Sequence, residues 1–183
     1  MTILNAPTTT LLLIDVQERI NGVMADPSHL PRQGVLLEAS GILDLPVVTT
    51  EQYPKGLGAT VQDLAGLLPT AAVEKSTFSC ARQPEAMAAI EATGRKQIVV
   101  CGIETHVCVL QTVIDLLEQG FEVHVPHDAV NSRRQADKAW ALHRMLAAGA
   151  VVSATESVLF EMLERCGTDQ FKAVSKLIKK IPV

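Results

Sequence analysis

Three residues of this 183-residue chain could together perform nucleophilic chemistry: Asp15, Lys75 and Cys108. Asp15 ends the apolar run TTLLLI, Lys75 lies within AAVEKSTF, and Cys108 follows QIVVCG after a short spacer. A carboxylate can carry protons, a neighbouring ammonium favours a thiolate, and a thiolate attacks carbonyl carbon. In the alternative interpretation, Asp15 and Lys75 form only an ion pair at the edge of a sheet, and Cys108 takes no part.

The segment around Cys108 is typical of a strand, a sharp turn and a helix. Residues 98–101 form an apolar run suited to a strand buried on both faces, and Gly102 is predicted to end it. A thiol where the following helix begins feels the positive end of the helix dipole, which favours the thiolate. The unpaired N–H groups there could also hold an oxyanion. Cysteines more often fill space, and Cys101 and Cys166 are predicted to be structural.

The pattern of apolar runs predicts an α/β fold. Strands are predicted at residues 9–16, 46–50, 71–78, 98–101, 121–125 and 150–153, and helical patterns lie between them. This alternation favours a three-layer α-β-α sandwich with a six-stranded parallel sheet, Rossmann-like. Ligands bind beyond the carboxyl ends of such strands. Asp15, Lys75 and Cys108 follow three different strands and are therefore expected to meet at one edge.

Composition predicts one globular domain over residues 1–183, with 48% hydrophobic and 20% charged residues. The net charge of −4 and the lack of a basic stripe argue against nucleic acid as a partner. No apolar run is long enough to span a membrane, so no membrane partner is expected. The four cysteines show no disulfide or metal spacing, which favours the cytoplasm.

Three segments of the chain resemble the signatures of the isochorismatase-like cysteine hydrolases. They are LLIDVQ at 12–17, EKSTF at 74–78 and GIETHVCV at 102–109, in the family's order and separations. The similarity extends over nearly the whole chain. The segment EQYPKGLG at 51–58 is most similar to the isochorismatase domain-containing subgroup.

The resemblance implies a catalytic triad of Asp15, Lys75 and Cys108. It also implies a cis peptide bond before Glu104, which directs the N–H groups of Glu104 and Cys108 at a developing oxyanion. The leading hypothesis is a cofactor-independent hydrolase that cleaves a small amide through a Cys108 thioester. The alternatives are a vinyl-ether hydrolase and a non-catalytic binding or scaffold protein that keeps the fold.

No metal site and no cofactor are predicted. Nicotinamidases of this family carry an Asp-x-His metal motif after the second strand, where this chain has Glu51-Gln52-Tyr53. The five histidines offer no replacement cluster, and His124 and His127 are expected on opposite faces of a strand. Nucleotide-binding glycine motifs are also missing from the sequence.

The substrate is expected to be a small molecule held beside the three signatures. The candidate pocket residues each neighbour a signature residue: Gln17, Glu51, Tyr53, Phe78, Thr105 and His106. The last helix carries an apolar stripe, which could pack on its own sheet or on a neighbouring chain. Relatives in this family commonly assemble, so the resemblance implies a homo-oligomer in which a neighbour closes the pocket.

Overall fold

The computed structural model describes residues 3–24 and 26–181, in which strands and helices alternate along the chain. The strands are β1 Thr9–Ile14, β2 Val47–Gln52, β3 Val73–Lys75, β4 Gln97–Ile103, β5 Glu122–Pro126, β6 Val130–Asn131 and β7 Val151–Ser153. The helices are α1 Glu18–Asn21, α2 His29–Ile42, α3 Pro54–Leu57, α4 Gln62–Ala65, α5 Pro84–Ala92, α6 Leu110–Glu118, α7 Gln135–Ala147, α8 Thr155–Leu163 and α9 Asp169–Ile178. Short 3₁₀ turns occupy Ala6–Thr8 and Cys80–Arg82, and a π turn occupies Thr105–Val109.

The strands form a parallel sheet in the order β3-β2-β1-β4-β5-β7. This confirms the predicted six-stranded parallel sheet. The two-residue strand β6 pairs with the last residues of β4, at Gly102 and Ile103. Strand β6 was not predicted from the sequence, because two residues are too few to show an apolar or alternating pattern.

Side chains of each central strand divide between two cores, one on each face of the sheet. In β1, Leu11 and Leu13 join the core beneath α2, α8 and α9, while Leu12 and Ile14 join the core beneath α5, α6 and α7. The alternation follows from the two-residue repeat of a strand. Helices therefore cover both faces, as predicted.

The prediction that Gly102 ends the fourth strand is wrong. The strand continues through Gly102 to Ile103, and Gly102 takes a positive φ of 131°. A Cβ at this position would lie 2.1 Å from the carbonyl oxygen of Ile14. Glycine is needed because β1 and β4 approach closely there, just before the residues that carry the candidate chemistry.

Two predictions about helix ends are also wrong. The spacing of Ser132 and Gln135 predicts a capping box at the start of a helix, but α7 begins at Gln135 without a side-chain cap, and the Ser132 hydroxyl lies 3.0 Å from Nδ1 of His106. The position of Cys166 directly before Gly167 predicts that it ends a helix and is structural. It lies beyond the end of α8 and is exposed to solvent.

The apolar stripe of the last helix packs within its own chain. Val174 and Leu177 of α9 are buried, and Phe171 and Ile178 pack against the same core. The helix lies against α2 and α8. Within the described residues, no helix has the length and apolar character needed to cross a membrane.

Candidate active site

Asp15 follows β1 directly and is fully buried. Its φ of 53° is left-handed, a conformation that aspartate tolerates better than most residues. The backbone N–H donates to the carbonyl of Thr50, 3.1 Å away, and the Thr50 hydroxyl donates to Oδ1, 2.8 Å away. Thr50 thus fixes both the backbone and one carboxylate oxygen of Asp15.

Lys75 is the last residue of β3, and its Nζ lies 2.7 Å from Oδ2 of Asp15. The same nitrogen donates to Oε1 of Gln52 at 2.7 Å. It also donates to the carbonyls of Thr77 at 3.1 Å and Phe78 at 3.0 Å. Burial acts to lower the pKa of Lys75, but Asp15 and the neighbouring thiols outweigh it, so this pKa is raised. Lys75 is therefore a charged group held by oxygen acceptors.

Cys108 lies in the π turn between β4 and α6, and it is buried. Burial raises the pKa of its thiol, the charge of Asp15 raises it further, and Lys75 lowers it. Lys75 acts on this pKa in the predicted direction, but burial and Asp15 outweigh it, so the pKa is raised rather than lowered. A raised pKa favours the protonated thiol at rest.

Asp15 is suited to receive the thiol proton. Burial raises the pKa of its carboxyl, whereas Lys75, Thr50 and a hydrogen bond with Cys108 act to lower it. A carboxylate with a raised pKa is a better proton acceptor. The arrangement can therefore move a proton from Cys108 to Asp15 beside a fixed ammonium.

Glu104 follows a cis peptide bond with Ile103. Its carboxylate is buried and accepts three hydrogen bonds from Arg133: from the backbone N at 3.1 Å, from Nε at 3.1 Å and from Nη2 at 2.9 Å. Burial acts to raise the pKa of Glu104, but the contacts with Arg133 outweigh it and the pKa is lowered. In the part of the chain that the structure describes, no carbonyl accepts a hydrogen bond from the Glu104 N–H.

Gln17 and Glu51, two of the candidate pocket residues, are engaged in the protein's own hydrogen bonds. The buried amide of Gln17 donates to the carbonyls of Gln52 and Gly58 and accepts from the N–H of Gln52. Oε1 of Glu51 accepts from the N–H and the hydroxyl of Thr60. Both side chains join the loop at 51–60 to the end of the sheet, and their place in a substrate pocket stays a prediction.

The aromatic candidates Tyr53 and Phe78 are the exposed ones, at 60% and 53% of their surface. Tyr53 follows β2 with a φ of 38°, and a Cβ on Gly56 would lie 2.4 Å from its Cδ1. The Tyr53 ring is therefore packed against Gly56. Phe78 lies three residues after Lys75, whose ammonium binds its carbonyl.

Thr105 and His106 follow Glu104 directly. Thr105 is fully buried, and its hydroxyl has no hydrogen-bond partner among the described residues. His106 is partly exposed, with Nδ1 beside Ser132 and Nε2 3.9 Å from Asp137. Both lie in the same turn as Cys108.

Four contributors to this site were not predicted from the sequence: Thr50, Gln52, Ser132 and Arg133. Thr50 pairs in register with Ile14, and Gln52 pairs with Lys75, so their positions follow from the parallel register. A search for polar residues at the end of the second strand would have found both. Ser132 and Arg133 carry no such signal, because the short strand β6 brings them to the site.

Two cavities bear on where a substrate could bind. One of about 300 Å³ adjoins Lys75 and is lined by Tyr53, Glu74 and Gln83 among others. A larger cavity of about 710 Å³ lies between Leu4 and α8 and contains no member of the triad. In residues 3–24 and 26–181, no three His, Cys, Asp or Glu side chains are grouped so as to hold a metal ion. Independence from cofactors stays a prediction.

A known family model and several known proteins match most of this chain. The family model of the isochorismatase domain matches residues 9–157. The chain is 37% identical to the secreted isochorismatase effector Isc1 of Phytophthora sojae, over 94% of this chain and 85% of that protein. It is 39% identical to isochorismatase domain-containing protein 1 of Salmo salar over 94% of its own length, and spans 61% of that relative.

Solved structures agree in fold. A Caenorhabditis elegans protein described as MAR1 ribonuclease superposes with a TM-score of 0.91 at 35% identity, covering 100% of this chain and 95% of that one. The YcaC gene product of Escherichia coli, described as an octameric hydrolase of unknown specificity, superposes with a TM-score of 0.90. Its identity of 24%, over 99% of this chain and 91% of that one, supports the fold alone. The chain belongs to the isochorismatase domain family.

Proposed function

We propose that this protein is a cysteine hydrolase that cleaves the C–N bond of a small amide without a cofactor. The observation that carries this proposal is the buried ion pair of Asp15 and Lys75 beside the Cys108 thiol. A buried pair costs desolvation energy, and a chain that needed only stability would do as well with apolar residues. Its position next to a nucleophile gives it a chemical use.

In the first half of the reaction, Asp15 takes the thiol proton as the sulfur of Cys108 attacks the carbonyl carbon. The carbonyl oxygen becomes an oxyanion, held by the N–H groups of Glu104 and Cys108. Asp15 then gives its proton to the leaving nitrogen as the C–N bond breaks. The amine departs, and the acyl group remains on Cys108 as a thioester.

In the second half, water attacks the thioester. Asp15 accepts a proton from the water, and the same N–H groups hold the second oxyanion. The C–S bond breaks, the carboxylic acid leaves, and Asp15 returns the proton to Cys108. Lys75 stays charged throughout and keeps the Asp15 carboxylate in place.

We expect a small-molecule substrate because the reacting groups are buried. The cavity of about 300 Å³ is lined by Lys75 but by neither Asp15 nor Cys108. Tyr53 and Phe78 have exposed rings, and we expect them to provide apolar contacts to the substrate. Thr105 has a buried hydroxyl in the same turn as Cys108 with no hydrogen-bond partner among the described residues, and we expect it to bind a polar substrate atom. Gln17, Glu51 and His106 complete the proposed surroundings.

Vinyl-ether hydrolysis is the second candidate, because the Phytophthora sojae relative is described as an isochorismatase effector. The retained thiol at 108 favours acyl chemistry, since a vinyl ether needs no thiol nucleophile. A non-catalytic scaffold is the third candidate. The buried ion pair of Asp15 and Lys75 argues against it, because a scaffold has no need of two buried charges.

A panel of small amides, read by ammonia release, tests the proposal. Isochorismate and RNA are tested in separate assays of their own cleavage products, because their hydrolysis releases no ammonia and relatives are described as an isochorismatase effector and a ribonuclease. We expect turnover of at least one amide, abolished in Cys108→Ala and retained in Cys166→Ser, since Cys166 is exposed and distant in sequence from the signatures. Hydrolysis of an amide by Cys108→Ala at the normal rate would overturn the triad.

The chain is also proposed to assemble as a homo-oligomer and to work in the cytoplasm. The octameric YcaC protein has the same fold. The four cysteines are free thiols, as a reducing compartment allows. The Phytophthora sojae relative is described as secreted, so fractionation of the source cells is the measurement that decides the compartment.

A further inference from the structure

We propose that Arg133 is a positioning residue that holds Glu104, and through it the oxyanion-binding N–H, in place. The inference rests on the proposed function, because it assigns a role within the same site. Arg133 lies outside the three sequence signatures, and the polar contacts of its side chain among the described residues are with Glu104.

The contact between Arg133 and Glu104 is a forked one. Nε and Nη2 of the guanidinium bind Oε1 and Oε2 of the carboxylate at 3.1 and 2.9 Å, and the backbone N–H of Arg133 adds a third bond to Oε1. A bidentate pair of this kind fixes orientation as well as distance. The Glu104 side chain is 3% exposed and that of Arg133 is 54% exposed. The cation thus closes over the carboxylate from the solvent side.

Arg133 is itself fixed to the end of β4. Strand β6 pairs Val130 with Gly102 and Asn131 with Ile103, directly before Glu104. The side-chain oxygen of Asn131 accepts from the N–H of Ser132 and from Nε2 of Gln135. The turn that carries Arg133 is therefore anchored on both sides, which places the guanidinium over Glu104.

Loss of the guanidinium would leave a buried carboxylate with only one backbone donor. Such a group is costly to keep in place, so it turns toward water and carries the Glu104 backbone with it. An oxyanion donor acts only when it lies within hydrogen-bonding distance of the developing charge. The expected damage therefore falls on the chemical step rather than on substrate binding.

The test compares Arg133→Ala, Arg133→Lys and the neighbouring control Arg134→Ala. Arg134 is 77% exposed, and its nearest carboxylate, on Asp137, is 3.7 Å away. We expect Arg133→Ala to lower kcat by about tenfold to a hundredfold, less than removal of an oxyanion donor, with little change in KM. Arg133→Lys should recover part of kcat, because lysine keeps the charge without the fork. Arg134→Ala should behave as wild type.

Two further measurements separate positioning from general damage. The alkylation rate of Cys108 with iodoacetamide, in a Cys166→Ser background, should be unchanged in Arg133→Ala, because alkylation needs no oxyanion donor. In a Glu104→Gln background, Arg133→Ala should cost little more, since the two residues act as a pair.

The inference is overturned if Arg133→Ala turns over at the wild-type rate, if Arg134→Ala loses as much, or if Cys108 alkylation falls together with kcat. If the wild-type protein releases no ammonia from any amide, both the proposed function and this inference are wrong. If the wild type and Arg133→Ala are equally active, only the inference about Arg133 is wrong.

Discussion

The ammonium nitrogen of Lys75 lies 2.7 Å from Oδ2 of Asp15, and neither side chain is exposed to solvent. The two residues belong to β3 and to the end of β1, with β2 between them. Gln52, the last residue of β2, accepts a hydrogen bond from the same nitrogen. One ammonium thus joins three strand ends, and each of the two charges depends on the other for compensation.

Asp15→Asn should lower the free energy of unfolding by about 3–5 kcal/mol, because it leaves the Lys75 charge buried and unpaired. Urea unfolding followed by circular dichroism measures the change. The matched control is the double variant Asp15→Asn/Lys75→Met, which removes both charges and should recover much of the loss. A single variant as stable as wild type would show that the pair is not coupled in this way.

The fold and the meeting of Asp15 with Lys75 could be predicted because several of the strands show strong local patterns. Apolar runs of four residues marked β1 and β4, and the parallel arrangement placed Asp15 and Lys75 at one edge. The ionisation of Cys108 could not be predicted in the same way. Its pKa depends on how deeply the thiol is buried and on its distance to Asp15, and neither quantity appears in the spacing of residues.

The Arg133 clamp escaped prediction for a related reason. It depends on β6, a strand of two residues, and on a turn in which Ser132 does not cap the following helix. Gly102 is a third case. A glycine after an apolar run is typical of the end of a strand. The close approach to Ile14, which requires a glycine inside the strand, is a tertiary contact that this pattern does not show.

Alkylation of Cys108 should be slow near neutral pH and should accelerate as the pH rises, because burial and Asp15 raise the pKa of the thiol. Lys75→Met should slow it further at each pH, since Lys75 is the group that lowers this pKa. Mass spectrometry after timed iodoacetamide pulses measures the rate. The background should be Cys166→Ser, because Cys166 is exposed and is expected to react first. An identical pH profile in Lys75→Met would remove Lys75 from this role.

Chelators should leave the hydrolytic activity unchanged. The segment Glu51-Gln52-Tyr53 lacks the Asp-x-His motif, and Glu51 is already bound to Thr60. The measurement is ammonia release before and after dialysis against EDTA, with added zinc as the control. Activity lost in EDTA and restored by zinc would contradict a metal-independent mechanism.

The homo-oligomer should appear as a mass at least twice 19.7 kDa in light scattering at micromolar concentration. The apolar stripe of α9 is already buried against α2, so the contact must use another surface. Activity followed over a dilution series tests whether a neighbouring chain completes the pocket. A monomer of 19.7 kDa with full activity would refute both parts of the proposal.

The last prediction concerns His29, a buried residue at the start of α2 that the proposed reaction does not use. Nδ2 of Asn131 donates to its Nδ1 at 3.1 Å, so Nδ1 must be the acceptor, and Nε2 donates to Oδ1 of Asn21 at 2.9 Å. Protonation at Nδ1 would place a second donor against the Asn131 amide. Burial lowers the pKa of His29 to about 4, with Lys138 lowering it further and Asp26 acting to raise it.

The folded pKa lies below the unfolded value of about 6.5, so the unfolded chain binds the proton more readily between these two values. The free energy of unfolding should therefore be unaffected by His29 above about pH 6.5 and should fall as the pH drops towards 4, by about 3 kcal/mol at most. His29→Gln should flatten this part of the curve, because glutamine does not titrate, whereas the exposed control His127→Gln should keep it. Urea unfolding at intervals between pH 4 and 7 measures the slope, and an equal slope in His29→Gln and wild type would show that other groups set the acid sensitivity.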